Sequence, residues 1–361
     1  MTVKTLSGHN CCMNFASDNA APVAPEILDA LARENTGFAI GYGNDGTTSR
    51  VERQFSELFE RDVAVFLVAT GTAANALALA HLSPPWGAVF CHAEAHIATD
   101  ECGAPEFFGS GLKLVGLPGA GRKIAVSALE EALQRAWGGP HHVTPAVLSL
   151  TQATEAGTVY QRDEIARLVA AARARGMLVH MDGARFANAL ERLGLTPAEA
   201  TWRVGVDVLS FGATKGGAMA AEAVVFFDPG RAAGMSERRK RGGHLISKHR
   251  FLAVQIEAFL SDNLWRNLAR RANHMADRLA VRLATVGCPP IWPVEANLIF
   301  VVIRREIHKR LQEAGATYYV MDSESLPQTL AVDRDCLLVR LVTSFATTEA
   351  DIDRFVVIAQ G

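Results

Sequence analysis

Short apolar runs alternate with stretches of helical character between Val63 and Phe227, and this alternation restricts the fold more than any other feature of the chain. Runs of strand type lie at Val63–Val68, Ala88–Cys91, Lys113–Leu117, Ala146–Leu150, Leu178–Met181, Val206–Phe211 and Ala223–Phe227. They have the length of buried strands, and the segments between them, such as the alanine-rich Ala73–His81, suit helices. Helices are also expected at Pro25–Glu34 and Thr48–Glu60. Ser127-Ala128-Leu129-Glu130 and Thr196-Pro197-Ala198-Glu199 both have the pattern of a capping box. Strand–helix alternation brings strands together in parallel, and a parallel sheet must be covered on both faces. The expected class is therefore α/β, a mostly parallel sheet flanked by helices.

After Phe227 the pattern changes to long helical segments, Gly230–Arg241 and Gly243–Thr285. A smaller α+β unit follows, with strands at Leu298–Ile303 and Leu337–Val342 and helices at Glu306–Ala314 and Thr348–Ile358. Pro289, Pro290 and Pro293 mark its entry. The organisation expected is an N-terminal arm (1–20), a large domain (21–255) and a small C-terminal domain that includes the linking helix (256–361).

A net charge of −2 on 361 residues gives no reason to expect nucleic acid or an anionic membrane as partner. The basic stretch Arg238-Arg239-Lys240-Arg241, followed by His244, Lys248 and Arg250, reads as a solvated helix face. Cys11, Cys12, Cys91, Cys102, Cys288 and Cys336 show no zinc-ligand spacing, so no metal is expected, and a reducing cytoplasm suits them. Met1–Ala16 lacks the apolar segment of a signal peptide, and no run approaches the roughly 18 apolar residues of a membrane span.

Chemistry concentrates in two segments at the ends of apolar runs: His180-Met181-Asp182-Gly183-Ala184-Arg185 and Ser210-Phe211-Gly212-Ala213-Thr214-Lys215-Gly216-Gly217. Open α/β sheets bind ligands at such strand ends. A lysine amine can condense with the aldehyde of pyridoxal 5′-phosphate (PLP), and a carboxylate can keep its pyridine nitrogen protonated. The 33 positions between Asp182 and Lys215 leave room for a helix and another strand, so both can reach one pocket. Read singly, Asp182-Gly183 is also a turn and Lys215 an exposed loop lysine. Gly71-Thr72 follows a strand and opens a helix, a setting that favours a phosphate. His96, read alone, is a satisfied core histidine sooner than a cofactor residue, and Tyr42 is equally a core tyrosine. Arg185 suits a surface ion pair. Arg340, within the apolar run 337–342, needs an anion, because an unpaired buried guanidinium is costly.

The ordered set Ser17-Asp18, Gly41-Tyr42-Gly43, Gly71-Thr72-Ala73-Ala74-Asn75, Ala95-His96-Ile97, Asp100-Glu101-Cys102-Gly103-Ala104, Asp182-Gly183-Ala184-Arg185 and Lys215 resembles the low-specificity L-threonine aldolase family, in the β-eliminating lyase group. The likeness runs from about Phe15 to the C-terminus. It implies the aspartate-aminotransferase-like fold of PLP-dependent transferases and a homotetramer, a dimer of dimers with active sites at the dimer interface. The implied activity cleaves β-hydroxy-α-amino acids, of the threonine, allo-threonine and phenylserine type, to glycine and an aldehyde.

By that resemblance Lys215 is the Schiff-base lysine, Asp182 the partner of the pyridine nitrogen, and His96 the residue stacked on the cofactor ring. Gly71 and Thr72, with Asn75 beside them, form the phosphate cup. Arg185 lies near the cofactor's phenolic oxygen and the substrate. Arg340 forks onto the substrate carboxylate with help from Ser17, and Tyr42 lies near the substrate. Family members often carry Thr-His-Asn where this chain has Thr151-Gln152-Ala153-Thr154-Glu155, with Thr154 in place of the histidine. His96, or a water it holds, is then expected to take the β-hydroxyl proton. The alternatives are a PLP-dependent β-elimination giving a 2-oxo acid and ammonia, or a PLP-fold binding protein without catalysis.

Overall fold

The computed structural model describes residues 13–321 and 333–361. Residues 1–12 of the expected arm, with Cys11 and Cys12, lie outside the described residues. Seven strands form the main sheet: β1 (Ala64–Val68), β2 (Gly87–His92), β3 (Lys113–Leu117), β4 (Thr144–Thr151), β5 (Leu178–Gly183), β6 (Val208–Gly212) and β7 (Glu222–Phe226). Their order is β1-β7-β6-β5-β4-β2-β3. β7 runs antiparallel to both neighbours, and every other pairing is parallel. The six parallel strands therefore end on one edge, where the polar segments begin.

Burial on both faces explains why these strands read as continuous apolar runs. β2 is buried along its whole length. The helix Gly71–Leu82 is buried nearly all round, which its small alanines permit against the sheet. On the other face an aromatic layer joins helices to sheet: Phe55 meets Phe211 edge-on at 5.2 Å, and Phe59 meets Phe227 at 5.0 Å. Each such ring, fully buried, contributes roughly 1.5–3 kcal/mol by leaving water.

A second sheet, in the order β8 (Leu298–Arg304), β10 (Cys336–Val342), β9 (Tyr319–Met321), is antiparallel throughout. It packs against the helices Leu264–Thr285 and Glu349–Gln360. The N-terminal segment is tied to this sheet: Phe15 N donates to Thr317 O (2.7 Å), and Val342 N donates to Phe15 O (2.8 Å). That anchorage places Ser17 and Asp18 between the two sheets. Among the described residues no helix is long and apolar enough to cross a membrane.

Three local expectations are corrected. The long helix expected to Thr285 is broken at Ser261–Asn263, where Asp262 and Asn263 take positive φ values of 51° and 55°. Ser127 caps nothing, because its helix begins at Val126 behind Ala125. Thr196 and Glu199 do exchange capping-box hydrogen bonds, yet they close a turn; the helices that carry such boxes are capped by Gln161 and Thr348.

Candidate active site

The ends of β1, β4, β5 and β6 and the helix starts beyond them enclose a cavity of about 430 Å³. Gly71, Thr72, Asn75, His96, Asp182, Arg185 and Lys215 all line it, so residues spread over 144 positions meet in one place. Their convergence depends on a close approach of two loops. A Cβ on Gly212 would sit 2.6 Å from the Ala184 backbone, so only glycine lets the end of β6 pass the turn after Asp182.

Asp182 is buried at the end of β5. Its Oδ1 accepts from Ala184 N (2.9 Å) and its Oδ2 from Asn75 Nδ2 (2.8 Å). Lys215, in the turn after β6, has no hydrogen-bond or ion-pair partner among the described residues. Burial, followed by the Arg185 guanidinium, pulls its amine below the usual lysine range, against the opposing carboxylates of Asp18, Asp182 and Glu222. A lysine amine whose pKa is lowered gives up its proton more readily, as a nucleophile needs.

Thr70 caps the helix Gly71–Leu82, its hydroxyl accepting from Ala73 N (3.1 Å). The N–H groups of Gly71 and Thr72 precede the first intrahelical bond, from Ala74 N to Thr70 O, and a Cβ on Gly71 would meet open space. These are the elements of an anion cradle. Asn75 lies one turn deeper and serves Asp182 instead, its Nδ2 joining Asp182 Oδ2 to Glu101 Oε1 at 2.8 Å each. His96 lines the same cavity, with Nδ1 2.9 Å from Glu101 Oε1. That hydrogen bond raises the His96 pKa above the ordinary imidazole value.

Arg185 is held by a two-pronged ion pair with Asp18, Nε to Oδ2 at 2.7 Å and Nη2 to Oδ1 at 2.9 Å. Asn297 Nδ2 also donates to Asp18 Oδ2 (3.0 Å), so Asp18 joins the N-terminal segment, the large sheet and the small unit at the cavity rim. Ser17 is half-buried and accepts from Asn19 N (3.1 Å). The Arg340 guanidinium lies 5.0 Å over the Tyr319 ring and has no carboxylate partner or hydrogen bond among the described residues. It is near enough to Arg185 and Asp18 to interact with their charges.

Tyr42 stands apart. It is exposed, outside the cavity lining, in a positive-φ conformation, with Lys240 Nζ 4.6 Å from its ring. Within the basic stretch Arg239 departs from the solvated-face expectation, being buried with Nη1 donating to Leu67 O (3.2 Å). Three cavity carboxylates receive no role from the sequence pattern: Glu101, Glu155 and Glu222. Glu155 Oε1 accepts from His96 N (2.8 Å) and Thr151 Oγ1 (3.0 Å). Glu222 Oε2 accepts from Ala213 N (2.8 Å), and burial raises its pKa to about 7. Glu101 lies within the Asp100–Ala104 segment that contributes to the family resemblance, which gave it no role of its own.

The residues fit PLP. An unpartnered lysine amine suits its aldehyde, a buried carboxylate its ring nitrogen, the helix start its phosphate, and His96 its ring face.

The sequence pattern of the β-eliminating lyase family matches residues 14–306. The low specificity L-threonine aldolase of Pseudomonas aeruginosa is 43% identical over 312 residues, spanning 86% of this chain and 90% of the relative. That of Pseudomonas sp. (strain NCIMB 10558) is 42% identical over 307 residues, spanning 84% and 88%. Among solved structures, a Leishmania major threonine aldolase superposes with a TM-score of 0.89 at 30% identity, covering 96% of this chain and 98% of that one. A Sphingomonas wittichii serine palmitoyltransferase shares the fold alone, with a TM-score of 0.72 at 14% identity and coverage of 96% and 86%.

Proposed function

The chain belongs to the β-eliminating lyase family and, within it, to the low-specificity L-threonine aldolases, and from that membership we propose how its residues divide the labour of a PLP-dependent carbon–carbon lyase. The reaction splits L-β-hydroxy-α-amino acids into glycine and an aldehyde. When bound, PLP supplies an aldehyde that captures the substrate amine and a ring that draws in the electrons released from the Cα–Cβ bond. The observation that carries the reading is one cavity holding an unpaired Lys215 amine, the buried Asp182 carboxylate and a His96 backed by Glu101.

Lys215 presents the amine that anchors the cofactor. Asp182 holds a proton on the ring nitrogen, steadied by Ala184 N and Asn75. The N–H groups of Gly71 and Thr72 bind the phosphate. His96 covers the ring face and accepts the β-hydroxyl proton, either directly or through a water, in the role that Thr154 cannot fill. Arg185 is kept by Asp18 at the cavity rim, beside the phenolic oxygen. Arg340 and Ser17 orient the substrate carboxylate, and Tyr42, exposed in its own subunit, serves a site shared with a neighbouring copy.

That last assignment belongs with a homotetramer, a dimer of dimers with interfacial active sites, which the exposed apolar side chains of Phe38, Ile40 and Phe107 support. The free thiols of Cys91, Cys102, Cys288 and Cys336 support residence in the cytoplasm. We also divide the chain into an arm (1–20), a large domain (21–255) and a small domain (256–361), in keeping with its two sheets.

The substrate role of Arg340 is tested by Arg340→Lys and Arg340→Ala. Lysine keeps the charge and loses the fork, and alanine loses both, so kcat/KM for threonine falls in that order while PLP occupancy stays full. Truncating one partner of a desolvated charge pair costs about 2–5 kcal/mol, or roughly 30-fold to several thousand-fold. Threonine amide, lacking the carboxylate, is a poor substrate for the native protein and loses little more in the variants. An Arg340→Ala protein that loses its PLP but keeps its preference for acid over amide assigns the arginine to structure.

A further inference from the structure

We propose that Glu101 is the positioning residue for His96: it fixes the imidazole with Nδ1–H toward its own carboxylate and leaves Nε2 as the nitrogen that takes a proton at the cavity. This rests on His96 being the proton acceptor. The Glu101 side chain is wholly buried, while that of His96 is 38% exposed, the geometry of a working imidazole with a shielded partner. Glu101 Oε1 receives both His96 Nδ1 (2.9 Å) and Asn75 Nδ2 (2.8 Å), and His96 Nε2 has no partner among the described residues. Burial pushes the Glu101 carboxyl up, with the His96 and Asn75 hydrogen bonds opposing; in its ionised form it accepts and cannot donate, and the neutral ring then places its hydrogen on Nδ1. Free histidine has no such constraint, and a carboxylate that selects the tautomer also steadies the imidazolium formed when Nε2 is protonated.

Asn75 makes the arrangement selective. Its amide has two N–H groups, and both are spent, one on Glu101 and one on Asp182 Oδ2 (2.8 Å). A flipped amide would turn its oxygen on two carboxylates, so the orientation is fixed by its partners. An amide does not relay protons at working pH. The proton exchanged by His96 is thereby kept from Asp182, which has to remain charged under the ring nitrogen.

Other charged groups line the cavity that His96 faces. Asp100 and Glu101 come from its own segment, Glu155 from beyond β4, Asp182 and Arg185 from β5 and the turn after it, and Lys215 and Glu222 from the β6–β7 side of the cavity. The Glu101 hydrogen bond dominates and raises the His96 pKa, Asp182 adding to it, with burial and then Lys215 opposing. A raised pKa holds the acceptor protonated to higher pH. The acid limb of the kcat/KM profile therefore lies higher in the native protein than in one without the Glu101 charge.

The test uses PLP-loaded, 15N-labelled protein, with the His96 ring signals assigned by their loss in His96→Asn. In the native protein neutral His96 is the Nδ1–H tautomer. In Glu101→Gln its titration midpoint moves to lower pH and the acid limb moves with it. kcat falls at least about 10- to 100-fold, the loss seen when a metal-bound histidine loses its carboxylate partner, and KM changes little. An Nε2–H tautomer in the native protein overturns the proposal, as does a Glu101→Gln protein with unchanged midpoint and acid limb. The tautomer needs no variant, so it decides the matter if Glu101→Gln fails to fold. A native protein that shows the Nδ1–H tautomer, and whose acid limb survives in His96→Asn, refutes the acceptor role of His96 while leaving its orientation by Glu101 standing.

Discussion

Lys215→Ala removes the covalent attachment of PLP: borohydride treatment leaves no cofactor fixed to the protein, and turnover falls by about 10³-fold or more, the scale seen when a nucleophile is deleted. The fold tolerates the change. The amine has no partner among the described residues, and the partial burial of its charge is a cost to stability that alanine relieves. Thermal unfolding of the PLP-free variant therefore occurs at or above the temperature of the PLP-free native protein. Loss of activity with gain of stability is the signature of a side chain kept for chemistry. A borohydride-stable adduct in Lys215→Ala moves the attachment to another lysine, and a clear fall in stability makes Lys215 structural.

For Asp182→Asn the cofactor still attaches through Lys215, but turnover falls about 10²–10³-fold, the range found when one preorganised electrostatic contact to a developing charge is removed. Asparagine reproduces the shape and cannot supply the charge that keeps the ring nitrogen protonated. The substitution also sets the new amide against Asn75 Nδ2. If the new side chain turns its oxygen to Asn75 and its nitrogen to Ala184 N, two donors confront each other, so some loss of stability accompanies the loss of rate. Rates within a few-fold of native would remove Asp182 from the chemistry. A variant that cannot hold PLP would make its main role one of binding.

Asp182 and Lys215 are legible because one lies at the end of a buried parallel strand and the other in the turn directly after one. Such a strand is an uninterrupted apolar run, and the polar residue that stops it is conspicuous. Apolar runs also reveal two strands of the second sheet, 298–303 and 337–342, although that sheet is antiparallel. Partners chosen by tertiary assembly were not legible. Asp18 meets Arg185 across 167 positions and Asn75 meets Asp182 across 107, and no periodicity encodes such distances. Asn75 groups with Gly71 and Thr72 by proximity in the chain, although the helical turn between them aims it at Asp182. Glu101, Glu155 and Glu222 resemble surface glutamates in sequence, because what identifies each is its burial beside a donor. The helix break at Asp262 and Asn263 is hidden for a related reason: two polar residues inside a helical pattern adopt positive φ without any glycine or proline to announce it.

This cavity breaks the Cα–Cβ bond of a β-hydroxy amino acid, and phenylserine separates that cleavage from β-elimination, since the two chemistries give different aromatic products from the same substrate. Incubated with the PLP-loaded protein, L-phenylserine yields benzaldehyde and glycine in equal amounts, with both absent in Lys215→Ala. Phenylpyruvate with an equal amount of ammonia, and no benzaldehyde, would contradict the account and assign the site to β-elimination.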